Sequence, residues 1–179
     1  MKLGSRRVYS GRVLDLDIDT VQFPDGSVGE LEMIRHSGAS AVVPVLSADA
    51  AAEPEILLLR QFRHAADGAI WEVPAGRLDP GETPDACARR ELREEAGLAA
   101  GRLTHLTTIY TTPGFTDEQI HLFVARDLTQ GEHRREADEF METRPFALGQ
   151  ILAMIHSGEI VDGKTIASLL FFSRFGLKL

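Results

Sequence analysis

The sequence predicts an α/β fold in which a mixed sheet lies between helices, preceded by a small antiparallel β-meander. Three observations carry this expectation. Apolar and alternating runs recur along the chain, but helical patterns interrupt them without the regular strand–helix alternation of a doubly wound parallel sheet. Pro24-Asp25-Gly26, between two early alternating runs, is a strong turn signal. With 179 residues, 44% of them hydrophobic and 26% charged, the chain has the size and balance of one globular domain carrying a small appendage.

Arg7 to Leu14, Leu16 to Phe23 and Val28 to Arg35 read as the three strands of the meander. So small a sheet is not stable alone and must pack on the main body or on a second chain. Ser37-Gly38 marks the boundary, giving an N-terminal element over 1–37 and a main domain over 38–179. Ala41 to Leu46 and Ile56 to Phe62 read as buried strands, with the Ala-rich stretch Ser47 to Pro54 as a loop between them. Ile70 to Pro74 is a further short strand, and the Gly-rich segment Ala75 to Gly81 is a turn. Thr83 to Ala96 is a helix: Thr83 suits the N-cap, Pro84 the first turn, and Gly97 the stop. Strands follow at Leu103 to Thr111 and Gln119 to Arg126, then a polar loop from Thr129 to Glu136 and a strand from Glu139 to Pro145. Leu148 to His156 and Lys164 to Phe175 read as amphipathic helices.

The net charge of −8 disfavours a nucleic-acid partner, which needs a basic surface. No apolar run approaches bilayer length, so no membrane partner is expected. The start MKLGSRRVYS lacks the apolar stretch of a secretory signal, and the single cysteine, Cys87, suits a reducing cytoplasm. Were the substrate of so acidic a protein a phosphate compound, carboxylates holding a divalent cation would make the site locally positive.

The helix over 83–96 carries Glu91, Glu94 and Glu95. At 100° per residue these fall within an arc of roughly 100°, bordered by Arg90. Leu92 and Ala88 lie beyond one edge of that arc, where they can pack inward, and Arg89 and Arg93 project to the opposite side. On helix composition alone, a solvated charged face is the commoner reading. The loop Gly76-Arg77-Leu78-Asp79-Pro80-Gly81-Glu82 changes that balance, because it brings the carbonyl of Ala75 and the carboxylate of Glu82 towards the same face. Carboxylates joined by a backbone carbonyl make a suitable shell for a hard cation.

Gly76, Glu82, Arg90, Glu91, Leu92, Glu94, Glu95, Gly97 and Leu98 fill every defined position of the Nudix box, Gly-x5-Glu-x7-Arg-Glu-U-x-Glu-Glu-x-Gly-U, with U aliphatic. Such a match arises by chance less than about once in a million chains of this length. The sequence is therefore identified as resembling the Nudix hydrolases. The resemblance implies an α/β/α sandwich around a mixed sheet, with Mg²⁺, or alternatively Mn²⁺, as cofactor. It implies Glu91 and Glu95 as principal metal ligands, with Glu94 and the carbonyl of Ala75 contributing. Arg90 would orient a carboxylate by a charge-assisted hydrogen bond, and Glu82 would support the junction of loop and helix.

The flanks resemble the ADP-ribose pyrophosphatase subgroup. Arg60-Gln61-Phe62-Arg63 and Trp71-Glu72-Val73-Pro74-Ala75-Gly76 match its upstream pieces, and Pro113, sixteen residues after Gly97, opens Pro-Gly-Phe-Thr-Asp-Glu. The tail Gly158 to Thr165 is also similar. By that resemblance Arg63 and Glu72 contact the diphosphate or terminal ribose, and Arg35, Gly114 and Phe115 are further substrate contacts. Read without it, Arg63 and Glu72 are a surface charge and its salt-bridge partner, and Pro113-Gly114 is only a turn.

Metal-bound carboxylates are poor bases, so the water-activating base is expected elsewhere. Glu139 is the first choice and Glu136 the second, by analogy with the family's acidic loop. Catalytic roles thus fall to Glu139, Glu136, Arg90 and Glu94. The expected reaction is hydrolysis of the diphosphate of a small nucleotide sugar, ADP-ribose giving AMP and ribose 5-phosphate, by a homodimer with exchanged N-terminal sheets. The N-terminal segment lacks a Trp, which leaves the subgroup's aromatic clamp for adenine without its usual residue. The alternatives are a Nudix enzyme for another nucleotide sugar, such as GDP-mannose, and a non-catalytic ADP-ribose-binding protein.

Overall fold

A computed structural model describes the chain except for residues 49–50, 52, 132–140 and 177–179. It contains a meander of β1 (Lys2–Ser10), β2 (Asp15–Gln22) and β3 (Val28–Arg35). The main body follows with β4 (Ala39–Pro44), β5 (Glu55–Arg63), β6 (Gly68–Glu72), β7 (Ala75–Arg77) and α1 (Pro84–Ala96). It ends with β8 (Leu98–Tyr110), β9 (Gln119–Gln130), β10 (Met141–Ala147), α2 (Leu148–Ser157) and α3 (Gly163–Phe175).

Two sheets form the middle layer. One has the order β7-β4-β9-β8 and is mixed, because β4 and β9 run parallel while its other pairs are antiparallel. The other has the order β10-β5-β6 and is antiparallel. A bridge from Val45 to Ile56 ties them together. Alternation sends side chains to both faces. Ala41, Val43, Leu122 and Val124 face a core shared with α2 and α3, whereas Val42, Phe123 and Ala125 face Ala88, Leu92 and Ala96 of α1. Both faces are apolar and both are covered by helices, which is the expected α/β/α sandwich.

The meander is held by charge. Asp17 and Asp19 of β2 are buried against Arg7, Arg35, Lys2 and Ser5. This pairing also explains a difference from expectation. The first strand runs Lys2–Ser10 rather than from Arg7 to Leu14, because Arg7 lies opposite Asp17 and Ser5 opposite Asp19, leaving Gly11 to Leu14 for the turn. The meander touches the body through a bridge from Ile34 to Thr116 and through Asp117, which accepts from Arg35 Nη1 at 3.1 Å and from the His36 N–H at 2.9 Å.

β9 runs to Gln130 rather than Arg126, because Leu128 to Gln130 pair with Leu98 to Ala100, and three further elements also differ from expectation. Ala75 to Arg77, expected as turn, pairs antiparallel with Ala39 to Ala41 as a short edge strand, because β4 offers it an open edge. β6 spans Gly68–Glu72 rather than Ile70 to Pro74; proline has no N–H for the ladder. β8 starts at Leu98, not Leu103, and pairs its first residues with the end of β9, since Gly97 in the left-handed region (φ 66°) turns the chain directly from helix into strand. Thr83 stands at the N-cap of α1, but its hydroxyl donates to Asp85 rather than capping an N–H.

Candidate active site

Burial of Ala88 and Leu92 fixes the rotation of α1 and turns its glutamates towards β7 and the 77–82 loop. Glu91, Glu94 and Glu95 line one cleft of about 470 Å³ together with Ala75, Gly76 and Arg63. Glu91 and Glu95 are buried and Glu94 is half-buried. Glu95 accepts from the Ala75 N–H at 2.9 Å, so that backbone segment and that carboxylate are held together. Gly76 lies so close to Glu91 that a Cβ there would sit 1.8 Å from Oε1. The first glycine of the motif is therefore a steric requirement, not a conformational one; Gly81 (φ 80°) is the position where the loop needs a left-handed backbone.

Arg90 closes the loop onto the helix. It donates through Nε and Nη2 to both oxygens of Glu82 (2.9 and 2.8 Å) and through Nη2 to the Arg77 carbonyl (2.9 Å). Its Nη1 donates to Glu91 (2.5 Å) and Glu94 (3.2 Å). Glu82 also accepts from the Asp79 N–H at 3.0 Å. The Arg90 guanidinium, with help from that N–H, holds the Glu82 carboxyl down to about 2. Both oxygens of Glu82 are thus committed to the loop junction, as expected.

The donor set suits a hard divalent cation: three carboxylates on one helix face, beside a backbone segment whose missing Cβ gives Glu91 room. Among the described residues the three side chains do not converge into a ready-made cluster of ligands, since Arg90 draws Glu91 and Glu94 while Ala75 engages Glu95.

Arg63, the last residue of β5, also lines the cleft. Its Nε and Nη2 donate to the two oxygens of Glu72 at 2.7 and 2.9 Å. Glu72 is buried and receives a second cation, Lys164 of α3, at 2.5 Å. Burial pushes the Glu72 carboxyl up, but the hydrogen bond from Arg63 and the charge of Lys164 outweigh it, and the net shift is downward. Arg35, Gly114 and Phe115 are not among the residues that line the cleft. Arg35 is spent on Asp17, Asp19 and Asp117, and Phe115 offers its carbonyl to the Ile34 N–H in the seam between meander and body. Glu139 and Glu136 lie outside the described residues.

Sequence reasoning overlooked Gln61 as a cleft residue and Lys164, Asp162 and Thr165 as its support. Gln61 was legible, because it is two residues from Arg63 on the same strand face. The α3 residues were not. Their role depends on where that helix begins in space, and the sequence signals only that the tail Gly158 to Thr165 resembles the subgroup's, not what its side chains touch.

A NUDIX domain model matches residues 36–169. An ADP-ribose pyrophosphatase of Bacillus subtilis (strain 168) is 39% identical over 165 residues, covering 91% of this chain and 86% of that protein. An ADP-ribose pyrophosphatase of Mycobacterium tuberculosis (strain ATCC 25618 / H37Rv) is 35% identical over 173 residues, covering 94% and 80%. A solved structure described as an ADP compounds hydrolase superposes with a TM-score of 0.82 at 22% identity, over 99% of this chain and 94% of that one, so the two share the fold. With an unbroken motif, a sandwich that places its glutamates on one cleft, and relatives matched over nearly the whole chain, this protein belongs to the Nudix hydrolase family.

Proposed function

We propose that this chain hydrolyses the diphosphate of ADP-ribose, with a divalent cation, Mg²⁺ first and Mn²⁺ as the alternative. The observation that carries the proposal is the meeting in one cleft of the α1 carboxylates, Ala75 and Gly76 with a guanidinium, Arg63. A diphosphate carries charge at both phosphates, and that cleft offers both cation-binding oxygens and a fixed cation.

Glu91 and Glu95 would hold the cation, assisted by Glu94 and the Ala75 carbonyl. Such a cation neutralises the diphosphate and acidifies bound water. Arg63 would bind a phosphate oxygen, kept in orientation by the bidentate Glu72 contact. Arg90 keeps the loop that carries Gly76 on the helix and limits the spread of Glu91 and Glu94. Glu139, with Glu136 as the alternative, would accept the proton of the attacking water. AMP and ribose 5-phosphate would be the products.

The 1–37 meander would serve as a dimerisation element. Leu3, Val8, Tyr9, Val13 and Val28 are each at least half exposed on it, an apolar surface that a second chain would cover. Arg35, Gly114 and Phe115 remain candidate contacts for substrate bound between two chains. Sedimentation should give a dimer; a monomer at micromolar concentration would sink the exchange. Among the described residues no helix is long and apolar enough to cross a membrane. The one thiol, free and buried, accords with a cytoplasmic setting.

The deciding experiment measures nucleotide release with Mg²⁺ across ADP-ribose, GDP-mannose, NADH and diadenosine polyphosphates. AMP from ADP-ribose at the highest kcat/KM is expected, with Glu91→Gln and Glu95→Gln each lowering it at least about 10²-fold while the fold stays intact. Preference for GDP-mannose would refute the substrate, tight ADP-ribose binding without turnover would refute the enzyme, and full rates in both variants would refute the metal assignment.

A further inference from the structure

Glu72 sits between two cations that belong to different parts of the molecule. Its side chain is 3% exposed. Arg63 grips it from the diphosphate cleft through Nε and Nη2, and Lys164 grips Oε2 from the first turn of α3. Lys164 itself lines a separate cleft of about 460 Å³ beside β8 and is not on the wall that faces the α1 glutamates. It is held in place by Asp162, which accepts from its ammonium at 2.9 Å. The same Asp162 oxygen accepts from the Thr165 N–H (3.0 Å) and hydroxyl (2.6 Å), and the Thr165 oxygen accepts from the Val73 N–H at 3.0 Å. The first turn of α3 therefore clamps residues 72 and 73, which only Pro74 separates from Ala75.

Charge-assisted hydrogen bonds must offset a desolvation cost of several kcal/mol for a carboxylate this buried, and Arg63 supplies two of the three that Glu72 accepts while Lys164 supplies the third. The Arg63 fork commits Nε and Nη2 to Glu72 while the residue lines the cleft, so any rotation of Glu72 re-aims the guanidinium. We propose that Lys164 is a positioning residue for substrate binding, which pins the Glu72 carboxylate so that the Arg63 guanidinium stays aimed at the diphosphate. This rests on the reading of Arg63 as a diphosphate contact. Lys164 touches no substrate in this role.

The test uses the full chain with ADP-ribose and Mg²⁺. Lys164→Met should raise KM about tenfold and leave kcat within about twofold, the signature of lost ground-state binding. Lys164→Arg should restore most of the loss. In the Arg63→Met background, Lys164→Met should change KM by less than about twofold, because the two act through one contact. The Arg63 Nε–Hε resonance, assigned by its disappearance in Arg63→Met, should shift or broaden in Lys164→Met. Should Lys164→Met fold poorly, the pair Glu72→Gln with Lys164→Met removes both charges and should give the same rise in KM. Unchanged KM and an unmoved Arg63 resonance in the folded variant would overturn the proposal, as would independent, multiplying effects of Lys164 and Arg63. If Arg63→Met itself leaves KM unchanged, the reading of Arg63 falls and the role of Lys164 falls with it.

Discussion

Replacing Gly76 by alanine probes the site with a single methyl group. The added Cβ would lie 1.8 Å from Glu91 Oε1 and 2.2 Å from its Cδ. Ordinary contact begins near 3.4 Å, so the carboxylate must retreat by 3.4 − 1.8 = 1.6 Å or the β7 backbone must withdraw from α1. Gly76 is not one of the positive-φ glycines, so the perturbation is steric contact and not backbone strain. The yielding atoms are the end of a flexible side chain, which limits the loss of stability to about 1–3 kcal/mol. The loss of activity should be larger. Displacing a carboxylate proposed to hold the cation by more than 1 Å, and with it the 2.5 Å contact from Arg90, should lower kcat about 10²-fold. AMP release from ADP-ribose at saturating Mg²⁺ measures the first effect and a circular-dichroism melt the second. A folded Gly76→Ala protein with wild-type kcat/KM would refute the reasoning, because it would mean that the position of Glu91 is immaterial.

Three other perturbations follow from the same geometry. The folded Glu82 carboxyl is depressed from 4.5 to about 2 chiefly by Arg90, so its contribution to stability is full above pH 4.5 and is lost as pH falls towards 2; urea titrations of wild type and Glu82→Gln should differ most at neutral pH and converge in acid. Thr165→Val removes the acceptor for the Val73 N–H at a fully buried position and should cost about 1–3 kcal/mol in chemical denaturation; a change within error would show that the α3 clamp carries no stability. Burial, reinforced by Glu91, pushes the Cys87 thiol up to about 12, so the native protein should resist iodoacetamide at pH 8 and react only in denaturant; rapid native labelling would contradict that.

The sequence by itself determined the chemistry. Helical spacing puts Glu91, Glu94 and Glu95 on one face, and the motif from Gly76 to Leu98 ties that face to a loop of defined length, so both local geometry and family were readable from neighbours in the chain. The sandwich was readable too, because β4 and β9 are apolar at successive positions and must be covered on both faces. Strand limits were not. β1 is set by charges that meet only after pairing, and β7 exists because the edge of β4 is open to it. The tertiary structure alone decided why Gly76 is glycine, since Glu91 lies fifteen residues away and approaches it only across the strand–helix interface. It also decided that Arg35 faces aspartates and not the cleft, and that Lys164, 92 residues from Glu72, gives that carboxylate its third charge-assisted hydrogen bond. Local periodicity follows from backbone geometry and can be read along a chain, whereas contacts between distant segments depend on packing that no single segment encodes.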